Sequence, residues 1–456
     1  MSKILAFLLI GVLTGAGVYY VKHARTNGAD PVRRGPALYD DRFVTVSTGD
    51  SESVVEEVRL GEGDLLRGIP GAGPLTLVEA RAWLNDPANH RRLDPLLPIG
   101  LDEGAADLRG LEENPLTRAK IELGRQLYFD KRLSRDGEVS CASCHDPQHG
   151  FAFPTRFGVG VEGQEGSRNS PTAANRLLSD GQFWDGRAAS LEEQAIGPLA
   201  NPAEMAITHD QAVELCRQIA GYREQFESVF NDGVTIQNLG RALASFERVV
   251  VSGPSPWDHY RRLRRFESAY EGELDLLEPD LAAEHEDLQA AVAAAPFSES
   301  AARGAELFFG ERTGCTQCHA GANFSDERYH NLGVGLELLD GLDEGEAIPE
   351  SLDAKLDWGR YAKTGQEEDR GAFKTPGLRN VAQTAPYMHD GSQETLAEVV
   401  AWYVQGGHDN PYLSPLIAPL DLTEAEQADL VAFLEALTGE WPDIETGRLP
   451  ADEPER

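Results

Sequence analysis

Two pentapeptides in this 456-residue chain bring reactive side chains together at a fixed spacing: Cys141-Ala142-Ser143-Cys144-His145 and Cys315-Thr316-Gln317-Cys318-His319. A thiol pair three residues apart, followed at once by histidine, is the attachment pattern for c-type haem. The thiols fix the porphyrin edge covalently, and the adjacent imidazole reaches the iron as its proximal ligand. A zinc or disulfide arrangement of the same four cysteines would leave both histidines without a role. The spacing therefore implies two covalently bound c-type haems, one on His145 and one on His319. The fifth cysteine, Cys216, lies in the apolar run Ala212–Cys216 and reads as an inert buried thiol.

Each motif needs helices to frame it, and the chain supplies them twice. Leu123–Phe129 ahead of the first motif and Arg303–Phe309 ahead of the second share a glycine followed by an apolar pair at helical spacing. Such a helix precedes the haem site in small cytochrome c domains, with the glycine permitting close helix packing. A closing helix follows in each half. Thr423-Glu424-Ala425-Glu426 makes a capping box, and Leu430, Val431, Phe433, Leu434 and Leu437 supply a buried face. Thr235–Val251 has the same character, with Leu239, Leu243, Phe246 and Val250 at helical spacing. No alternating run long enough for a sheet is evident, so the predicted fold is all-α. It comprises two cytochrome c-like domains, at 111–257 and 297–442. Around them lie a membrane anchor or signal segment (1–25), a tether and loosely structured extension (26–110), a charged helical insertion (258–296) and an acidic tail (443–456). Leu336–Asp369, acidic and glycine-containing, reads as a second solvated connector.

Acids outnumber bases 76 to 41, a formal charge of −35. That balance argues against nucleic acid or an anionic membrane surface as partner, and favours a basic redox partner or a well-solvated surface. The uncharged stretch Ile4–Val21 is about the minimum for spanning a bilayer, and Thr14-Gly15-Ala16 is a poor cleavage site. We expect a periplasmic protein, tethered to the inner membrane by this helix.

From about Asn114 to Gly439 the chain resembles the bacterial dihaem cytochrome c peroxidase family, and within it the MauG-like members. Besides the haem motifs, the resemblance rests on Arg168-Asn169-Ser170-Pro171-Thr172, Gln182-Phe183-Trp184-Asp185-Gly186-Arg187-Ala188, Gln194, Pro202-Ala203-Glu204-Met205, and Leu378-Arg379-Asn380 through Pro386-Tyr387-Met388-His389-Asp390-Gly391. It implies that the first haem reacts with peroxide and that the second takes in and stores electrons. Relatives with a histidine opposite the first iron carry it just before Arg-Asn-Ser-Pro-Thr. Here that loop, Val159–Ser167, has none, and His149 lies too close to the attachment site to reach the far face. The sixth position on this iron is therefore expected to be open.

Glu204 matches the family's distal acid and Gln194 the neighbouring amide that orients peroxide or water. Trp184 matches the tryptophan between the haems. Fourteen residues after His389, where other members place a methionine ligand of the second iron, stands Tyr403. The residue reads either as a buried tyrosine with a satisfied hydroxyl or, as in MauG-like members, as a phenolate ligand that stabilises ferric and higher-valent iron. A calcium ion is also implied, held by the side chain of Asn169 and the carbonyls of Thr384 and Pro386. His389 is expected to support the inter-haem region through hydrogen bonds. Together these imply a peroxidase that reduces hydrogen peroxide with electrons from a small cytochrome or copper protein. The alternatives are a MauG-like enzyme oxidising a residue on a partner protein and, different in class, a pure electron carrier with no use for Glu204.

Overall fold

A computed structural model describes residues 55–340 and 348–451. The apolar stretch Ile4–Val21 lies outside the described residues. Among the described residues no helix is long and apolar enough to cross a membrane.

Helices dominate. Those that frame the site are α1 (Arg118–Phe129), α2 (Leu191–Ala200), α3 (Ile236–Val249), α4 (Pro256–Ala269), α5 (Pro279–Ala294), α6 (Glu299–Phe309), α7 (Leu396–Gln405) and α8 (Glu424–Glu435). Two small sheets depart from the all-α expectation. Parallel β1 (Val55–Arg59) pairs with β2 (Arg92–Leu96), and antiparallel β3 (Tyr329–Asn331) with β4 (Ala372–Lys374). These strands are three to five residues long, and β2 contains Pro95, a residue that argues against a strand. Runs that short leave no readable alternation.

The internal repeat is structural. Helix α1 crosses α3, and α6 crosses α8, with a glycine at each crossing. A Cβ on Gly124 would lie 1.9 Å from the Ala242 carbonyl oxygen and 2.9 Å from Phe246 Cβ. A Cβ on Gly304 would lie 1.9 Å from the Asp429 carbonyl oxygen and 2.9 Å from Phe433 Cβ. Only a residue without a side chain lets the backbones approach so closely. Thr235 and Thr423 cap the closing helices, each accepting from the backbone N–H three residues on. Beyond each closing helix an asparagine ties the chain back. Asn175 and Asn380, both with φ +57°, accept from the backbone N–H groups of Ser252 and Gly439, each at 3.0 Å. The expected faces are inside: Leu239, Leu243, Phe246 and Val250 in the first core, Leu430, Phe433, Leu434 and Leu437 in the second.

The segments outside the two frames are built in. In α4, Asp258 meets Arg379 of the second domain at 2.7 Å, both side chains 2% exposed or less. The helix also packs on α5 through Leu263, Phe266 and Leu288. The described end of the acidic tail, residues 443–451, lies across the first domain, where Arg125 donates to the carbonyls of Glu445 (2.6 Å) and Arg448 (2.9 Å). Leu336, Leu339, Leu356 and Trp358 of the acidic connector form a small core of their own.

Candidate active site

Both haem motifs present an imidazole ready to ligate. Cys141–Cys144 forms one helical turn, and Tyr128 on α1 donates to the His145 carbonyl at 3.0 Å. His145 Nδ1 is 2.9 Å from the Pro171 carbonyl, and His319 Nδ1 is 2.9 Å from that of Phe324. A carbonyl accepts only, so each Nδ1 carries the proton and each Nε2 keeps its lone pair, the tautomer required of a proximal ligand. Burial pushes both imidazoles down, towards this neutral form. All four motif thiols are free, and burial raises those of Cys144 and Cys318 to about 11. Neutral thiols with no disulfide partner, beside an oriented imidazole, fit covalent haem at both motifs.

A cavity of about 920 Å³ opens over the first motif. It gathers Cys141, Cys144 and His145 with Trp184, Gln194, Glu204 and Asn169, so four residues named from the resemblance share one space. His145 is the one histidine among its lining residues. His149 is outside it, its Nδ1 3.1 Å from an Asp146 oxygen. Helix α2 carries Gln194, and the turn after it, closed by Ile207 N–H on the Leu199 carbonyl at 2.8 Å, carries Glu204. Asn201 donates its amide to Glu204 Oε1 at 2.6 Å, which fixes the carboxyl's direction. Burial raises the Glu204 pKa against the lowering effects of Asn201 and Arg187. The Gln194 side chain has no hydrogen-bond partner among the described residues.

At the second motif, Tyr403 projects from α7, behind the capping box that Thr395 and Glu398 form. Burial holds its phenol well above the usual range, with Cys318 and Cys315 near enough to add to the shift. Among the described residues nothing hydrogen-bonds its hydroxyl. The satisfied-hydroxyl alternative therefore lacks its partner.

Trp184 sits on the seam between domains. Its Nε1 donates to the Asn169 carbonyl at 2.9 Å, and its own carbonyl accepts from Lys374 N–H at 2.8 Å. The His389 carbonyl accepts from Asn169 N–H at 2.7 Å, while its ring stacks on Phe373 with centroids 3.5 Å apart. The hydrogen bond expected of this residue is thus made by its backbone. Asn169 points its amide NH₂ at the carbonyls of Arg156 (3.3 Å) and Thr155 (3.4 Å), leaving the Oδ1 lone pairs available to ligate a cation. A neutral oxygen beside the 384–391 loop fits a calcium shell. Cys216 is fully buried, and burial pushes its thiol up, as an inert core cysteine requires.

Sequence reasoning missed several lining residues. Lys355, Leu356 and Asp357, read as part of a solvated connector, wall the first cavity from the second domain. Asp357 grips Arg168 through two hydrogen bonds of 2.6 and 2.7 Å, and Arg168 also meets Asp185 at 2.7 Å. The available signal was Leu356 and Trp358 flanking Asp357, an apolar pair inside an acidic run. Glu247 on α3 also lines the cavity, and burial raises its carboxyl to about 8.

A family model for di-haem cytochrome c peroxidase matches residues 118–265, and one for cytochrome c matches residues 301–438. The methylamine utilization protein MauG of Methylorubrum extorquens is 35% identical, over 74% of this chain and 83% of the relative. The cytochrome c551 peroxidase of Nitrosomonas europaea is also 35% identical, over 72% of this chain and 83% of the relative. The crystal structure of a MauG-like protein associated with microbial copper homeostasis is similar at 31% identity with a TM-score of 0.60, covering 73% of this chain and 93% of that one.

Proposed function

This chain belongs to the di-haem cytochrome c peroxidase family, and from that premise we propose that it reduces hydrogen peroxide at the His145 centre while the His319 centre stores or relays oxidising equivalents. It is an oxidoreductase of the cytochrome-c peroxidase type, and its two cytochrome c domains imply two c-type haems. When bound, the haem on His145 supplies an iron at which peroxide is reduced, and the haem on His319 a second redox centre.

Glu204 carries the conclusion. It is a half-buried carboxyl held by Asn201, in a cavity whose lining includes no histidine besides His145. A positioned acid/base of this kind contributes about 10²–10⁴ to proton transfer. Glu204 would accept a proton from one peroxide oxygen and return it to the other. With two electrons and two protons from outside, one peroxide becomes two waters. Gln194, with no protein partner of its own, orients the peroxide or water. Trp184, bonded to a segment of each domain, links the two centres.

In this proposal Tyr403 would ligate the iron of the second haem, supported by a hydroxyl without a protein partner among the described residues and by its closeness to Cys315 and Cys318. Asn169 Oδ1 with the Thr384 and Pro386 carbonyls holds a calcium ion near the seam. The electron donor is a small cytochrome or copper protein, and the charge of −35 suits a basic one. The Ile4–Val21 stretch points to the periplasm and a tether to its inner membrane. Paramagnetic resonance of the resting ferric protein tests the site: one high-spin and one low-spin haem are expected, and two low-spin haems overturn the open position.

The unpaired Tyr403 hydroxyl also favours a second reading, in which both centres are oxidised together and the target is a residue on a partner protein. Steady-state peroxide reduction with a small cytochrome or copper donor, set against oxidation of a co-exported protein, separates the two.

A further inference from the structure

The cations around the first cavity are unequal. Arg168 meets Asp185 and Asp357, Arg187 meets Asp185 at 3.0 Å, and Lys374 meets Glu327. Lys355 is exposed at the rim. Arg176 lines the same cavity with neutral partners only. Its Nε donates to Gln182 Oε1 at 2.9 Å, and its Nη2 donates to that oxygen and to the Gly181 carbonyl at 3.3 Å. Its Nη1 has no protein partner among the described residues.

This guanidinium is held in place. Arg176 begins a short turn directly after Asn175, which is locked to Ser252. Gln182, 2% exposed, is anchored by its own amide on the Ser179 carbonyl and its N–H on the Ala188 carbonyl. Burial pushes the Arg176 pKa down, so the charged form is held at a cost. Glu327, Glu247 and Tyr329 are the nearest acidic groups, and Arg176 makes an ion pair with neither glutamate. A half-buried guanidinium with an open Nη1 facing a cavity is suited to hold an anion there. A haem carries two propionate carboxylates, and Arg168, Arg187 and Lys374 are already matched by carboxylates.

We infer that Arg176 is the residue that binds a propionate carboxylate of the first haem. The inference rests on the haem reading of Cys141–His145. It makes Arg176 a positioning residue: it fixes the macrocycle's acidic edge at the seam, opposite the edge fixed by the thiols, and it places a positive charge near the first iron only.

The test uses the full haem-loaded chain with Arg176→Gln and Arg176→Lys. Haem content by pyridine haemochrome comes first, because fewer than two haems per wild-type chain would sink the dihaem reading itself. Redox titration and resonance Raman then follow each haem. Loss of the positive charge favours ferric iron, so Arg176→Gln should lower the midpoint of the first haem and shift its propionate bending band, with the second haem moving less than half as far. Arg176→Lys should restore most of the midpoint while still shifting the band, since an ammonium cannot reproduce the planar fork. An unchanged propionate band in both variants, or equal midpoint shifts at both haems, overturns the assignment. Should the Gln variant lose its haem, an unchanged band in the Lys variant alone overturns it.

Discussion

Gly124→Ala gives a sign that two effects dispute. Inside an unencumbered helix the substitution stabilises by about 1 kcal/mol, because alanine loses less backbone entropy. At this crossing the new methyl would stand 1.9 Å from the Ala242 carbonyl oxygen, whereas real Cβ contacts stay beyond 3.0 Å. The obstructing atom is backbone, so α1 and α3 must part by more than 1 Å, loosening Leu123, Leu127 and Tyr128 against Leu239, Leu243 and Phe246. Overpacking of this kind costs about 1–3 kcal/mol, and occasionally more. With the clash at the upper end of that range, the net is a destabilisation of about 2 kcal/mol. Gly304→Ala meets the same obstruction at Asp429 and should cost a similar amount. Gly197→Ala in α2 is the control: its nearest neighbour beyond the adjacent residues is Phe183 Cζ at 3.6 Å, and Pro198, next in the helix, disfavours a Cβ there enough to offset the propensity gain, so stability should stay near the parent's. Guanidinium chloride unfolding of the haem-loaded protein, followed by far-ultraviolet circular dichroism and by the Soret band, measures all three. A Gly124→Ala protein as stable as the parent would refute the close crossing. A Gly197→Ala protein destabilised as much as Gly124→Ala would show that the penalty has another origin.

Glu204→Gln should lower kcat for peroxide by about 10²–10⁴ with both haems retained, and near-normal turnover would remove Glu204 from the mechanism. In the parent the working form is the carboxylate, so kcat/KM should fall as pH drops, with its midpoint above the ordinary glutamate range because burial raises this pKa. Tyr403→Phe should alter the low-spin resonance of the second haem and raise its midpoint, since an anionic oxygen donor favours ferric iron; an unchanged spectrum would place the tyrosine off the iron. Burial holds the Glu247 carboxyl at about 8 when folded, against an ordinary value of 4.5. Between those values the folded state keeps a proton that the unfolded chain has lost, so stability falls as pH rises through this window. Glu247→Gln should therefore gain roughly 3 kcal/mol at pH 7 and nothing at pH 4.5, at about 1.4 kcal/mol per unit, and parallel pH–stability curves for variant and parent would contradict that.

The parts of this molecule legible in its sequence are those written in local code. Cys141–His145 and Cys315–His319 declare their chemistry by spacing, Thr235 and Thr423 mark helix starts, and Gly124 and Gly304 stand out because each opens the same short pattern. Glu204 had no such local mark; only its likeness to a family segment singled it out from 76 acids. Arg176, Glu247 and Lys374 carried no signal that could be read in isolation, and Asp357 only the apolar Leu356 and Trp358 on either side of it. Their meaning comes from which residues face them across the seam, and Asp357 is 189 positions from its partner Arg168. The same applies to Asn175 and Asn380, whose shared left-handed backbone and shared tie to the end of the closing helix appear only in three dimensions. The short strands stayed hidden because three to five residues cannot display a period.

The repeated frame makes the difference between the two centres a matter of loops. Helix crossings, caps and asparagine ties agree between the halves, with the glycine contacts identical at 1.9 and 2.9 Å. The acceptor for the proximal imidazole does not agree. His319 is oriented by Phe324, five residues further along its own loop. His145 is oriented by Pro171, in a segment whose Arg168 and Asn169 are bonded to Asp357 and His389 of the other domain. The first iron's ligand is thus held by the domain seam, while the second's is held from within. Residues 168–171 connect the His145 imidazole to the second domain, whereas the His319 imidazole has its acceptor within its own loop. Under the proposed division of roles, this asymmetry would set a store held from within its own domain against a reactive centre whose supporting carbonyl sits in a segment bonded to the other domain.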